Sequence, residues 1–162
     1  MLSTALKSKL AKQHLLVADA PQMISLLESY LRDMGAKTIY RATDGRAAIE
    51  ALNTPGMRIS AVIYDMNLPR LDGLEALKLV RRNFGRLPFL MLSANVTKDS
   101  IAAAAKLNVD GYLAKPFTVQ QMERRIVGLM RATVASDDGA PEAPTEQAAE
   151  ADAEATDDTW SI

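Results

Sequence analysis

Between residues 14 and 133, short apolar runs alternate with longer segments whose apolar positions recur every three or four residues. The first pattern predicts buried strands, the second amphipathic helices. His14–Ala18 is such a run and closes on Asp19. Pro21 then sits where the first turn of a helix tolerates it, and Met23, Ile24, Leu26, Leu27, Tyr30, Leu31 and Met34 keep helical spacing up to Gly35. Residues 37–41 (KTIYR) are rich in β-formers. Asp44-Gly45 opens a second helix through Ala48, Ile49 and Leu52, ended by Asn53-Thr54-Pro55-Gly56. Residues 59–64 (ISAVIY) form a third strand ending at Asp65. Asp72 with Glu75 caps a helix carrying Leu74, Leu77 and Val80. Phe89–Ser93 is a fourth strand, residues 97–107 an Ala-rich helix with Asn108 as its left-handed stop, and Gly111–Ala114 a fifth strand. Thr118 with Gln121 begins the last helix.

Five strand–helix units in about 120 residues predict a parallel sheet covered on both faces by helices. Right-handed crossovers then favour the flavodoxin-like doubly wound (βα)5 fold, strand order 2-1-3-4-5. Ligands of such sheets sit beyond the carboxyl ends of the strands, at the point where the order reverses.

Charge divides the chain. Residues 1–135 hold all 19 Lys and Arg against 11 acids, a net of +8, whereas residues 136–162 hold the other nine acids and no base. The expected organisation is a short basic N-terminal arm or frayed helix over 1–13, a folded domain over 14–135 and a disordered acidic tail over 136–162. Leu2, Leu6 and Leu10 form one helical stripe in the arm. No apolar run approaches the roughly 18 residues of a membrane-spanning helix. The absence of Cys excludes disulfides, thiol catalysis and Cys-ligated zinc, and fits a reducing cytoplasm.

The chemistry lies at the strand ends. Asp19 closes the first strand, Asp65 the third and Ser93 the fourth, and Lys115 follows the fifth. In the order 2-1-3-4-5, Asp19 and Asp65 converge at the switch point, with Ser93 and Lys115 arriving beside them. Two close carboxylates repel, and a hard divalent cation such as Mg²⁺ resolves the repulsion. Carboxylate, metal, hydroxyl and ammonium around one point suit a phosphoryl group under in-line attack by a carboxylate oxygen.

The text LLVAD (15–19), ATDGRAAIEAL (42–52), VIYDMNLPRLDGLEAL (62–77) and 89–118 resembles the receiver domain of two-component response regulators, especially stand-alone chemotaxis CheY-like receivers. The resemblance spans about residues 14–133. It implies that Asp65 is the phosphoacceptor and that Asp19, Asp65 and the backbone carbonyl of Asn67 hold Mg²⁺. It further implies that Ser93 bonds the phosphoryl group, that Tyr112 is an aromatic switch behind it, and that Lys115, in a Lys-Pro pair often cis, contacts the phosphoryl oxygen. The implied partners are a sensor histidine kinase or phosphotransfer protein, and a target protein that docks on the last two helices and fifth strand. The chain is then a signalling protein rather than an enzyme with a separate substrate.

One departure concerns the metal. The family usually places two adjacent acids at the end of the first strand, but here the pair reads Ala18-Asp19. Loss of the first acid predicts weakened Mg²⁺ binding, and leaves open a pseudo-receiver that binds partners without cycling phosphate. A dehalogenase-like phosphatase also uses an aspartate nucleophile, yet Asp65-Met66-Asn67 lacks its second acid and no cap-sized insertion is present. Nucleic-acid binding is disfavoured because the bases are scattered without interleaved aromatics. In the acidic tail, Trp160 and Ile162 suggest a tethered recognition peptide ending in a carboxylate.

Overall fold

The computed structural model describes residues 2–137. Five parallel strands, β1 (His14–Ala18), β2 (Thr38–Ala42), β3 (Ala61–Asp65), β4 (Phe89–Ser93) and β5 (Gly111–Ala114), pair in the order β2-β1-β3-β4-β5. The predicted flavodoxin-like topology is therefore the one adopted. The helices are α1 (Thr4–Ala11), α2 (Pro21–Met34), α3 (Gly45–Leu52), α4 (Gly73–Asn83), α5 (Lys98–Lys106) and α6 (Val119–Asp137).

Two hydrophobic layers flank the sheet. One joins Val17, Ile63, Leu92 and Leu113 to Ile24, Leu27 and Leu31 of α2 and to Met122, Ile126 and Leu129 of α6. The other joins Leu16, Val62, Phe89 and Met91 to Ala48 of α3, Leu77 and Val80 of α4 and Ala104 of α5. Strand residues alternate between the layers because successive side chains point to opposite faces. Stretches 15–18, 61–64 and 89–92 of the three interior strands are apolar throughout because both faces of the sheet are covered.

The local signals act largely as predicted. Gly35 ends α2 with φ 118° and Asn108 follows α5 with φ 56°. Asp44 and Asp72 accept the amides of Ala47 and Glu75 as helix caps, and Thr118 exchanges hydrogen bonds with Gln121. Two strand boundaries move. β2 runs one residue later than the β-rich string, because Ala42 still pairs with Ala18. β3 starts at Ala61, not at 59, because Ser60 is spent on His14: its amide donates to the His14 carbonyl at 2.8 Å and its hydroxyl accepts the His14 amide at 2.8 Å.

The N-terminal segment is more than an arm. Ser3 caps α1 by accepting the Leu6 amide, Leu10 is fully buried with Leu2 nearly so, and Lys9 Nζ donates to the Met130 carbonyl of α6 at 2.7 Å. The Leu2–Leu6–Leu10 stripe thus extends the α2–α6 layer as a sixth helix. The tail positions Trp160 and Ile162 lie outside the described residues.

Candidate functional site

Asp19, Asp65 and Lys115 continue the strand face that carries Val17, Ile63 and Leu113, two residues below each of them. Their backbone is held at the strand ends: the Asp19 amide donates to Ala42, the Met66 amide to Leu92, and the Lys115 amide to Ser93. The peptide bond between Lys115 and Pro116 is cis.

At this point the side chains converge. Lys115 Nζ lies 2.7 Å from Asp19 Oδ2 and 3.4 Å from Asp65 Oδ1. The Asp19 side chain is 2% exposed, against 15% for both Asp65 and Lys115. Asp19 is thus the floor of the cluster and Asp65 its accessible wall. Asp19 Oδ1 accepts the Ala20 amide at 2.7 Å. Oδ2 is buried against the Lys115 ammonium, and that single contact leaves lone-pair capacity unused. Burial pushes the Asp19 carboxyl above its ordinary range, and the hydrogen bonds and charge of Lys115 and the Ala20 amide oppose that push only in part.

Such an oxygen suits a cation. Among the described residues no cluster of three His, Cys, Asp or Glu side chains forms. Two carboxylates are nevertheless enough for Mg²⁺, which keeps several waters and commonly takes one or two protein carboxylates. Asn67 is exposed in the loop two residues beyond Asp65. Ala18, the residue before Asp19, is fully buried in the α3–α5 layer.

The loop that carries Asn67 is fixed from below. The Tyr64 hydroxyl donates to the Leu71 carbonyl at 2.8 Å, and the Gly45 amide to the Pro69 carbonyl at 2.9 Å. A Cβ on Gly45 would run into the Leu71 side chain and backbone, so this contact requires glycine. Tyr64 itself stacks on Phe89 at 5.8 Å.

Ser93 and Tyr112 form a second group on the opposite strand face. Ser93 is fully buried, and its Oγ accepts the Asn95 amide at 3.1 Å. Met91 pairs with Tyr112 across β4 and β5, so Ser93 lies two residues above that pair on the same face. Tyr112 is 3% exposed and therefore already turned inward. Its hydroxyl lies 3.0 Å from Ser100 Oγ. Ser100 closes a capping box with Thr97: its hydroxyl accepts the Thr97 amide, and its amide donates to the Thr97 hydroxyl. The hydroxyls of Ser100 and Tyr64 were not among the sequence-predicted residues. For Ser100 the spacing Thr97-x-x-Ser100 was a legible signal; for Tyr64 none existed, because its partner is set by the loop path.

A doubly wound α/β domain with a carboxylate pair, a lysine and a buried hydroxyl at its topological switch point defines the class. The chain belongs to the response regulator receiver domain family, whose model matches residues 15–127. It is 33% identical over 114 residues to the chemotaxis protein CheY of Pseudomonas aeruginosa, covering 69% of this chain and 90% of that one. CheY-3 of Vibrio cholerae is 32% identical over 114 residues, covering 69% and 86%. Among solved structures, the receiver domain of the Francisella response regulator 1452 superposes with a TM-score of 0.67 at 28% identity, covering 75% of this chain and 99% of that one. The receiver domain of the Pseudomonas aeruginosa sensor histidine kinase PA1611 superposes with a TM-score of 0.63 at 28% identity, covering 74% and 98%. That structure has a magnesium ion coordinated in its active-site cleft. The chain is a CheY-like receiver domain of two-component signalling. None of its described helices is long and apolar enough to cross a membrane.

Proposed function

We propose that this receiver accepts a phosphoryl group on Asp65 from the phosphohistidine of a kinase or phosphotransfer protein, and signals by phosphorylation-dependent binding to a target protein. The observation that carries the proposal is the Lys115 ammonium between Asp19 and Asp65, at 2.7 and 3.4 Å. An Asp65 carboxylate oxygen attacks phosphorus in line. The phosphorus–nitrogen bond of the donor breaks, the imidazole leaves with the electron pair, and a mixed acyl phosphate anhydride forms. Lys115 is placed to follow the transferred charge: as Asp65 is phosphorylated, the ammonium exchanges a carboxylate oxygen for a phosphoryl oxygen. Asp19, Asp65 and the Asn67 carbonyl are the groups that would hold Mg²⁺, which would screen the phosphoryl charge.

Ser93 Oγ, leaving the Asn95 amide, reaches the phosphoryl group. Its movement draws on the face it shares with Tyr112, and the surface of α5, β5 and the start of α6 changes for the target. Such a change is a population shift between two states of one domain, driven by the new charge. The protein works as a phosphoacceptor and carries no separate substrate turnover. No membrane insertion or DNA contact enters this cycle, and a cytoplasmic location suits it.

Labelling with acetyl phosphate at millimolar Mg²⁺ tests the proposal. Incorporation that vanishes in Asp65→Asn and in excess EDTA is the expected result. Absence of label in the unmodified chain would instead establish a pseudo-receiver, for which Ala18 is the supporting observation.

A further inference from the structure

A cavity of about 520 Å³ opens at the end of the sheet opposite Asp65, between α1 and the starts of β1 and β3. Lys9, Lys12, Gln13, His14, Arg58 and Ser60 contribute to its walls, and no carboxylate lines it. Its basic groups are held in place from several elements. Lys9 is anchored by the Met130 carbonyl at 2.7 Å, which leaves two of its three donors for a ligand. His14 Nδ1 donates to the Met57 carbonyl at 2.7 Å, so Nε2 donates to a carboxylate only in the imidazolium form. Arg58 is exposed and held in left-handed backbone, φ 49°, at the rim. This cavity shares no residue with the phosphoacceptor cluster.

We propose that the cavity is a carboxylate-binding site whose occupant is the chain's own acidic segment, beginning at residue 138. Three observations commit it to that occupant. Charge is complementary: residues 136–162 hold nine acids and no base. From Asp138 an acid recurs at every fourth position, Glu142, Glu146, Glu150, Glu154 and Asp158, so a carboxylate is available in several registers. Position is the third. α6 continues seven residues from Met130, the Lys9 anchor, to Asp137, a rise of about 10 Å at ~1.5 Å per residue. A handful of residues at ~3.4 Å each spans that distance back to the cavity. Tethering at this range gives an effective concentration of about millimolar, at which a weak charge contact is populated.

The location also separates the tail from the switch. His14 and Ser60 lie a strand length, about 16 Å, from Asp19 and Asp65, roughly two Debye lengths at physiological salt. Docking therefore persists when Asp65 carries a phosphoryl group.

Backbone amide chemical shifts of the full chain read this directly. Neutralising the eight acids from Asp138 onward to Asn and Gln is expected to shift the amides of Ser8, His14 and Ser60. So is raising NaCl from 0.1 to 1 M, where the Debye length falls from about 10 to about 3 Å. The pair Lys12→Glu and Arg58→Asn, the latter chosen because Asn tolerates left-handed backbone, is expected to produce the same shifts and to remove the response to tail neutralisation. The shifts are expected to be independent of protein concentration and unaltered by acetyl phosphate. Cavity amides indifferent to the tail charges would overturn the proposal, as would a response confined to another face. A response that grows with concentration would overturn it too, assigning the site to the tail of a second copy.

Discussion

Lys115 Nζ stands 2.7 Å from Asp19 Oδ2 but 3.4 Å from Asp65 Oδ1, so the ammonium leans toward the buried carboxylate rather than the accessible one. The lysine neutralises the floor of the site and leaves the Asp65 carboxylate less encumbered. Removing it uncovers a buried charge, and breaking a buried pair by deleting one partner costs about 3–5 kcal/mol. Lys115→Gln is therefore expected to lose about 3 kcal/mol of stability at pH 7 in metal-free buffer, by urea denaturation, with much of the loss restored by Mg²⁺. Equal loss with and without Mg²⁺ would show that Asp19 does not hold the ion.

Asp19 also sets a pH dependence. Its folded carboxyl titrates above the unfolded one, so the folded state binds more protons across that interval. Stability from this group is then fully present below the ordinary carboxylate range and is lost as pH rises through the raised folded value. Metal-free protein is expected to lose stability over that window. Asp19→Asn should remove the slope, and Mg²⁺, which binds the charged form, should reverse it. Denaturation midpoints across pH decide the matter.

Ala18→Asp restores a second acid at the end of β1. Outer ligands of metal sites typically contribute 10- to 100-fold in affinity, so Mg²⁺ binding is expected to tighten about tenfold by calorimetry. Without metal the same variant should be less stable, because Ala18 is fully buried beside Tyr64 and Met66. Unchanged affinity would mean that Ala18 is not what limits the metal site.

The Ser100 hydroxyl serves three partners: it accepts the Thr97 amide, donates to the Thr97 carbonyl and lies 3.0 Å from the Tyr112 hydroxyl. Ser100→Ala is expected to cost about 1 kcal/mol, in the range of a lost helix cap, and to loosen the Tyr112 ring, read as weakened near-ultraviolet circular dichroism. Tyr112→Phe should lose the hydrogen bond but keep the ring signal. If Ser100→Ala leaves that signal intact, the Ser100 hydroxyl is not what holds Tyr112 inward.

Arg81 ties the far end of the sheet together. Its guanidinium donates to the carbonyls of Leu107, Gly85, Leu87 and Asn108 and to Asp110 Oδ2, with both side chains of the ion pair largely buried. Asp110 in turn accepts the Phe89 amide at 2.7 Å. Arg81→Ala is expected to destabilise by about 3–5 kcal/mol. Arg81→Lys should recover little, since a lysine cannot reproduce the planar fork. Acetyl phosphate labelling below the unfolding transition should be unchanged by either.

Much of this molecule was legible along the chain because period and punctuation are local. The apolar runs ending in Asp19, Asp65 and Ser93 fixed strands, order and the site's composition, and Gly35, Asp44, Asp72 and Thr118 marked helix ends through their own backbone chemistry. Tertiary structure decided what depends on distant partners. Only the fold made Asp19 the floor and Asp65 the wall, because burial is set by the neighbouring strands and not by residue type. Only the fold docked the Leu2–Leu10 stripe against α6, gave the Arg81 fork its four carbonyls and placed Ser100 under Tyr112. Each of these joins groups that have no common sequence period, so their geometry exists only once the chain has closed on itself.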